Sequence, residues 1–258
     1  MRDPFADTIL EGAAERYHRF SRHFRLQGEV GDRVNQVLEE ETDKIKIRDG
    51  EQRLLSMLMG PLLGKALKTY RAVERLCVLG FGEDAAVLLR SNVNLLANLA
   101  YIVTDETPDA RAREFVADTW TRYVKFMKQA FGHEVDVADA PLPAADIPAL
   151  AKAWNKTGIA DRAKRLPDHH YRIGYKFYSG IEHSDALALF GYIGDWNEVG
   201  PRIESGPSDS HIDAVLMHNA EVMATVLDYS CRYWKIDRPD IFAELTKAFA
   251  EFAEPEKK

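Results

Sequence analysis

The stretch Ala85-Ala-Val-Leu-Leu-Arg-Ser-Asn-Val-Asn-Leu-Leu-Ala-Asn-Leu-Ala-Tyr-Ile-Val103 decides the fold. It is apolar on nearly every face of a helix, which predicts a helix buried in the protein interior. Arg90, Asn94 and Asn98 recur every four residues, with Tyr101 just beyond, so their side chains point the same way. Burying such groups without partners costs roughly 1–3 kcal/mol each. The pattern therefore predicts either an internal polar site or a structural hydrogen-bond network.

The composition indicates a globular protein. Of the 258 residues 46% are hydrophobic and 29% are charged, and the formal net charge is −7. Proteins that bind nucleic acid or membrane surfaces in bulk are usually basic, so this balance argues against both roles for the chain as a whole. The amino terminus lacks the apolar core of a signal peptide, and the polar residues within 85–103 argue against a membrane span. We therefore expect a cytoplasmic protein that does not contact a membrane.

Helical periodicity runs through the whole chain, and no convincing alternating strand pattern interrupts it. The sequence predicts an all-α fold of roughly nine helices in one bundle-like domain spanning residues 1–258. The helices near 84–103 and 169–185 should lie at its centre. An Ala/Asp/Pro-rich segment at 136–148 is the best candidate for an internal loop or linker, and the tail 254–258 should be frayed.

Local signals place several helix boundaries. A first helix is expected over Phe5–Leu26, and Gly60-Pro61 should break the chain because proline fits the first turn of a helix better than its interior. Residues 200–209 are predicted to form a flexible loop. Ser210 and Asp213 resemble a capping box that opens a long helix to about Trp234. Pro108 is expected to open a helix to about Phe131, and a short helix is expected near Ile147–Lys156.

A second polar stripe follows in the segment 171–184. One helix face carries Tyr171, Tyr175, Ser179 and His183. Their spacing of four residues matches that of Arg90, Asn94 and Asn98, which we call the Arg90 ladder. If the two stripes face each other, a proton-transfer group, a hydroxyl and a fixed cation meet in one pocket. The alternative is a polar network that locks two central helices together, which is the more common fate of buried His and Tyr groups.

These two stripes carry a family resemblance. The run Leu-Leu-Arg90-Ser91-x-x-Asn94-x-x-x-Asn98-x-x-Tyr101 resembles the signature helix of a bacterial and archaeal family of unknown function, with an Arg-Ser pair, then Glu, Asn and an aromatic. The Tyr-rich stretch ending in Ser179-x-x-x-His183 resembles its second hallmark. The resemblance covers about 67–189 and implies an all-helical fold without an established activity. The family's Glu falls at Asn94 here, which implies a lost or altered activity wherever that Glu is a metal ligand or a base.

A weaker similarity is to helical ribonuclease toxins that carry Arg, four to six residues, then His. Lys176 and His183 have six residues between them, but Lys replaces Arg and lacks its guanidinium fork. In those toxins two protomers combine their Arg/His pairs to cleave RNA by general acid–base chemistry. The resemblance makes Lys176 and His183 the candidate catalytic residues.

Metal binding is a further alternative. Histidines 169, 170, 183, 211 and 218 cluster in the carboxy-terminal half, and His218-x-x-Glu221 could chelate although its order is the reverse of the usual Glu-x-x-His. Glu15-x-x-His18 has the usual spacing but lies on a basic helix. No second Glu-x-x-His occurs, so the sequence assigns no metal ligand and leaves any cofactor unknown.

The first helix carries a basic strip, Arg16, Arg19, Arg22 and Arg25, interleaved with aromatic residues. It could bind phosphates, pair with Glu39–Glu41 on the neighbouring helix, or form a dimer contact. Ion pairing on a solvated face is the favoured interpretation.

Three functional hypotheses follow. The favoured one is a pocket for a small anionic or nucleotide-like ligand formed by five residues: Arg90, Asn94, Asn98, Tyr175 and Ser179. The second is RNA cleavage by Lys176 and His183, and the third is a structural or interaction protein. A helix-mediated homodimer is compatible with all three.

Overall fold

Helices make up most of the chain, so the all-α prediction is confirmed. A computed structural model describes residues 4–47, 53–136, 139–170, 174, 193–197, 200–203 and 206–255. Within these ranges there are nine α-helices: α1 Pro4–Arg19, α2 Ser21–Glu40, α3 Arg53–Leu79, α4 Gly82–Val103, α5 Pro108–Phe131, α6 Ile147–Lys156, α7 Ile159–Ala163, α8 Ile212–Trp234 and α9 Pro239–Ala253.

A short β-hairpin accompanies the helices. Strands β1, Ile193–Asn197, and β2, Gly200–Ile203, pair antiparallel, with Ile193 opposite Ile203. The prediction that residues 200–209 form a loop is therefore wrong for the first four residues. The strands are too short to show the alternation by which a strand is recognised in sequence.

Helix α4 lies at the centre of the core, as the opening stretch predicts. It packs against α3, α5, α7 and α8, and its buried side chains include Leu89, Val93 and Leu96. It is the one helix in the described part of the chain that is long and apolar enough to span a membrane, and 67% of its apolar window is buried against the rest of the protein. Its apolar character is accounted for by this packing.

Two predicted helix boundaries are wrong. The first helix ends at Arg19, and α2 begins at Ser21 after a single non-helical residue, Phe20. Pro61 lies inside α3 and does not begin a helix. The proline lacks one backbone donor and costs about 3 kcal/mol in a helix interior. Met59 and Leu63, buried on either side of it, anchor the helix in the core and outweigh that cost.

The start of α8 also differs from its prediction. Ser210 does not cap the helix; His211 occupies the cap position with a φ of 62° and makes no side-chain capping bond. The Ser210 carbonyl instead approaches the backbone of Gly82, where an added Cβ would lie 2.0 Å from that oxygen. Glycine at position 82 thus lets the segment before α8 pack on the start of α4.

A buried amide network fastens α2, α3 and α8 together. The Asn219 amide donates to Gln27 Oε1 at 2.8 Å and to the Tyr70 carbonyl at 3.1 Å. The Gln27 amide donates to the Leu216 carbonyl at 2.6 Å, and the Tyr70 hydroxyl donates to the Gln27 carbonyl at 2.5 Å. Because water cannot reach these groups, each bond lost would leave a buried acceptor unsatisfied.

Asn219→Ala should lower the free energy of unfolding by about 2–3 kcal/mol, because two buried acceptors lose their donor. Urea denaturation measures the change. Asn35→Ala is the matched control, since Asn35 only accepts an exposed bond from Arg71; it should cost less than about 0.5 kcal/mol. Equal losses for the two variants would contradict the structural role of the network.

Candidate metal centre

Two buried histidines from distant parts of the chain form the centre of the site. His170 Nδ1 lies 2.9 Å from His218 Nε2, and the two rings stack with centroids 5.1 Å apart and planes inclined by 14°. The side chains are 1% and 3% exposed, respectively. His218 projects from α8, and His170 ends the described segment that follows α7. The pair therefore joins α8 to the chain leading out of α7.

The tautomers of this pair follow from its neighbours. His170 Nε2 lies 3.2 Å from the hydroxyl of Thr225, and that hydroxyl donates its own hydrogen to the Glu221 carbonyl at 2.7 Å. The Thr225 oxygen must then accept from His170 Nε2–H. In a neutral His170 this leaves Nδ1 as the acceptor for His218 Nε2–H. A directed hydrogen-bond chain thus runs from His218 to α8's backbone.

Burial keeps both imidazoles neutral. Desolvation, followed by the nearby His218 and His169, lowers the pKa of His170 to about 3. Desolvation, with a smaller contribution from His169, lowers the pKa of His218 to about 4. Neutral imidazole is the form that carries a lone pair for a metal ion or accepts a proton.

His169 and Glu221 extend the buried pair to the surface. The centroids of the His169 and His170 rings lie 4.0 Å apart with their planes inclined by 45°, and His169 Nε2 lies 4.0 Å from Glu221 Oε2. One ligand atom each from His169, His170 and Glu221 lies within 4.8 Å of the other two. The His169 and Glu221 side chains are 48% and 30% exposed, so solutes can reach the cluster. Burial raises the pKa of Glu221, and His169 opposes that shift.

Glycine at position 174 holds the chain against the site. A Cβ there would lie 2.6 Å from His218 Cε1 and 2.8 Å from Val93 Cγ2. The backbone at Gly174 therefore rests directly on the buried histidine and on Val93 of α4. Only a residue without a side chain fits this approach.

The carboxy-terminal part of the Arg90 ladder on α4, Asn98 with the neighbouring Tyr101, makes structural contacts. Arg162 is buried; it donates to Asn98 Oδ1 at 2.5 Å and to the Thr157 carbonyl at 3.0 Å, and lies 4.0 Å above the Trp154 ring. Tyr101 approaches the Thr157 hydroxyl at 3.4 Å. These contacts fix α6 and α7 on α4, so the network alternative describes Asn98 and Tyr101.

The amino-terminal part of the Arg90 ladder, Arg90 and Asn94, faces the interior. Arg90 is 8% exposed. The side-chain carbonyl oxygen of Asn94 is buried and accepts no hydrogen bond from the residues that the structure describes, so it has capacity for a donor. Asn92, on another face, donates to the Ala66 carbonyl at 3.0 Å and ties α4 to α3.

Four of the predicted site residues cannot be placed. Tyr175, Lys176, Ser179 and His183 lie outside the described residues, as does Tyr171. It therefore stays a prediction that the two polar stripes face each other and that Lys176 and His183 are catalytic.

The basic strip of α1 and α2 has partners, but not the predicted ones. Arg16 and Arg19 both pair with Asp209, and Arg22 donates to carbonyls at the end of α9. Glu40 and Glu41 pair with Arg238 instead. The strip thus connects α1 and α2 to the segment before α8 and to the end of α9. Cys77 and Cys231 are free and buried.

The sequence pointed only partly to the metal-ligand cluster. The spacing of His218-x-x-Glu221 is compatible with a chelating pair, whereas His169 and His170 stand out only as part of a histidine-rich half. The signal that would have found the site is the adjacent His169-His170 pair just after a helix, together with a His-x-x-Glu turn on a buried helix. Which helix faces that pair cannot be read from spacing.

Gly174→Ala should lower the free energy of unfolding by about 1–3 kcal/mol, because its methyl group would overlap His218 and Val93, which are both buried. Chemical denaturation measures this loss. Gly64→Ala is the control: no atom lies within 4 Å of the added Cβ in α3, so that variant should gain up to about 1 kcal/mol. A Gly174→Ala variant as stable as wild type would show that the chain does not rest on His218.

The metal-free protein should lose stability as the pH falls below about 6.5. The unfolded chain protonates His170 and His218 near that pH, whereas the folded chain resists protonation until about pH 3–4. The unfolded state thus binds more protons, and each histidine costs up to about 1.4 kcal/mol per pH unit. His218→Gln should reduce the loss of unfolding free energy between pH 6.5 and 5 by about 1.5 kcal/mol. His133→Gln, at an exposed position, should leave the loss unchanged.

Comparison with known proteins identifies a family but no activity. A family model described as a family of unknown function, DUF5677, matches residues 56–199, more than half of the chain. The resemblance seen at 67–189 lies inside this range, while His218 and Glu221 lie beyond it. No curated protein and no solved structure matches the chain. The chain belongs to the family of unknown function DUF5677.

Proposed function

We propose that this protein binds one divalent transition-metal ion through His169, His170 and Glu221. The observation that carries the proposal is the convergence of three ligand atoms, from two separate segments, within 4.8 Å of one another. Adjacent histidines supply two ligands and α8 supplies the third. One side of the cluster is buried and the other is open to solvent.

The spacing suits a small ion after a modest contraction. Bonds of about 2.0–2.2 Å at tetrahedral angles separate neighbouring ligand atoms by about 3.4 Å. His169 Nε2 and Glu221 Oε2 are 4.0 Å apart, and both belong to partly exposed side chains. Rotamer adjustments at the surface are therefore sufficient, and the buried His170 need not move.

The donor set determines the class of metal. Two imidazole nitrogens and one carboxylate oxygen favour zinc and neighbouring transition metals, whereas calcium and magnesium prefer oxygen ligands alone. Two histidines and a glutamate are also the protein ligands of some catalytic zinc sites, in which a fourth position stays open.

The surrounding residues support His170 as the fixed ligand. Nδ1 of His170 is engaged in a hydrogen bond with His218, so Nε2 is the ring nitrogen that can bind an ion. Binding there requires the tautomer in which His170 Nδ1–H donates to His218, and Nε2 gives up its bond to Thr225. A hydrogen bond to the second nitrogen of a metal-bound histidine orients the ring and raises its basicity.

An open coordination position also gives the predicted anionic ligand a place to bind. A divalent ion held by one carboxylate keeps a net positive charge, which attracts a small anion or a water molecule. The ion would lower the pKa of such a water. Arg90 and Asn94 of α4 are the ladder residues that remain candidates for holding the anion. RNA cleavage by Lys176 and His183 has no supporting observation among the described residues.

Zinc titration of chelator-treated protein tests the proposal. Calorimetry should show one zinc ion per chain with a Kd of about 1 μM or tighter, and cobalt should give the visible spectrum of a low-coordinate site. Glu221→Gln and His170→Ala should each weaken binding by at least about 100-fold, and His218→Phe by about 10-fold through loss of the orienting bond.

Two controls keep the result interpretable. His133→Ala removes an exposed histidine elsewhere and should leave zinc affinity unchanged. Urea midpoints of all variants show whether they fold. The assignment would be contradicted if zinc binding were not saturable. It would also be contradicted if a folded Glu221→Gln variant bound zinc as tightly as the wild type.

A further inference from the structure

An apolar cavity lies between α3 and α5, away from the histidines. Its volume is about 430 Å³. Its walls come from the beginning of α3, from the middle of α5 and from Pro141 in the loop before α6, and include Met57, Leu58, Phe115 and Trp120. Met57 and Tyr123 at its rim are 47% and 45% exposed. Binding cavities for small molecules are typically of this size and are lined by apolar and aromatic side chains.

A second, polar chamber adjoins it. This chamber has a volume of about 300 Å³ and shares Leu54, Met57 and Pro141 with the apolar cavity. Its polar lining consists of Arg53, Arg113 and Asp109. Two guanidinium groups therefore face a single carboxylate at one end of an apolar cavity.

The arginines are available to a ligand. Arg113 pairs with Asp146 at 3.2 Å, but the side chains are 45% and 47% exposed, and ion pairs of that kind contribute little stability. Arg53 forms no ion pair with any residue that the structure describes. A carboxylate could take the place of Asp146 and receive bidentate bonds from a guanidinium group.

We propose that this two-part cavity binds an amphipathic carboxylate of the fatty-acid class, with its chain among Met57, Phe115 and Trp120 and its head group at Arg53 and Arg113. Charge complementarity selects this occupant over a second copy of the chain. Arg53 and Arg113 at one end of the cavity can pair with the carboxylate of such a ligand, whereas the α5 side chains that line the apolar cavity, which a second copy would present, are all uncharged. The concave cavity also suits an inserted chain better than a flat membrane surface.

This site is independent of the proposed metal centre. Its residues belong to α3, α5 and the loop before α6, whereas the metal ligands belong to α8 and the segment after α7. Failure of one proposal leaves the other standing, and Glu221→Gln serves as a control that should not alter binding here.

Displacement of the fluorescent anion 1-anilinonaphthalene-8-sulfonate by sodium dodecanoate tests the proposal on the full chain, below the dodecanoate concentration that unfolds it. One dodecanoate per chain should displace the dye. Dodecanol should bind at least about 10-fold more weakly and dodecyltrimethylammonium weaker still, because neither can pair with arginine.

The variants separate the tail site from the head site. Met57→Glu, at a half-exposed position that tolerates charge, should weaken dodecanoate binding at least 10-fold. Arg53→Ala/Arg113→Ala should weaken dodecanoate several-fold and leave dodecanol unchanged. Arg122→Ala is the matched control, since Arg122 lies on α5 but lines neither chamber.

Three results would overturn the proposal. These are displacement without a one-to-one stoichiometry, equal affinity of folded Met57→Glu for dodecanoate, and binding to anionic phospholipid vesicles without dodecanoate displacement. The last result would make the α5 surface a membrane contact instead.

Discussion

The burial of α4 is the constraint on which the rest of the structure depends. Four helices pack around it, so leaving one of its buried polar side chains without a partner is costly. Asn92 donates a hydrogen bond to the Ala66 carbonyl, and Asn98 accepts one from Arg162. Each of these bonds also fixes the position of a neighbouring segment, α3 in one case and α7 in the other. The polar residues of the central helix thus specify how its apolar faces are covered.

Two buried polar networks lie along α8, and they differ in where they end. The network of Gln27, Tyr70 and Asn219 is enclosed by α2, α3 and α8 and has no exposed member. The pair of His170 and His218 continues to the partly exposed His169 and Glu221. A closed network can only stabilise the fold, whereas one that reaches solvent can exchange a proton or accept an ion. This difference in access separates the structural network from the candidate site.

Local sequence signals predicted helix boundaries correctly where short-range interactions along the chain determine them. Helix α5 begins at Pro108 as expected, since a proline at the first turn loses no intrahelical bond. The bounds predicted for α6 and the end of α8 at Trp234 agree with the structure as well. The signals failed where packing outweighs propensity. Pro61 stays within α3 because the core anchors both of its flanks, and Ser210 makes a close backbone approach to Gly82 in place of a helix cap.

The sequence by itself determined the helical fold, the burial of α4 and the presence of a polar ladder on that helix, because all three follow from the periodicity of side chains along one segment. Only the tertiary structure decided which ladder residues are structural. It also decided that His170, 48 residues from His218, touches it, and that two arginines stand beside an apolar cavity. Contacts of this kind depend on how separate helices pack, and hydrophobic packing is not directional. The spacing of residues along the chain therefore does not encode which polar groups it brings together.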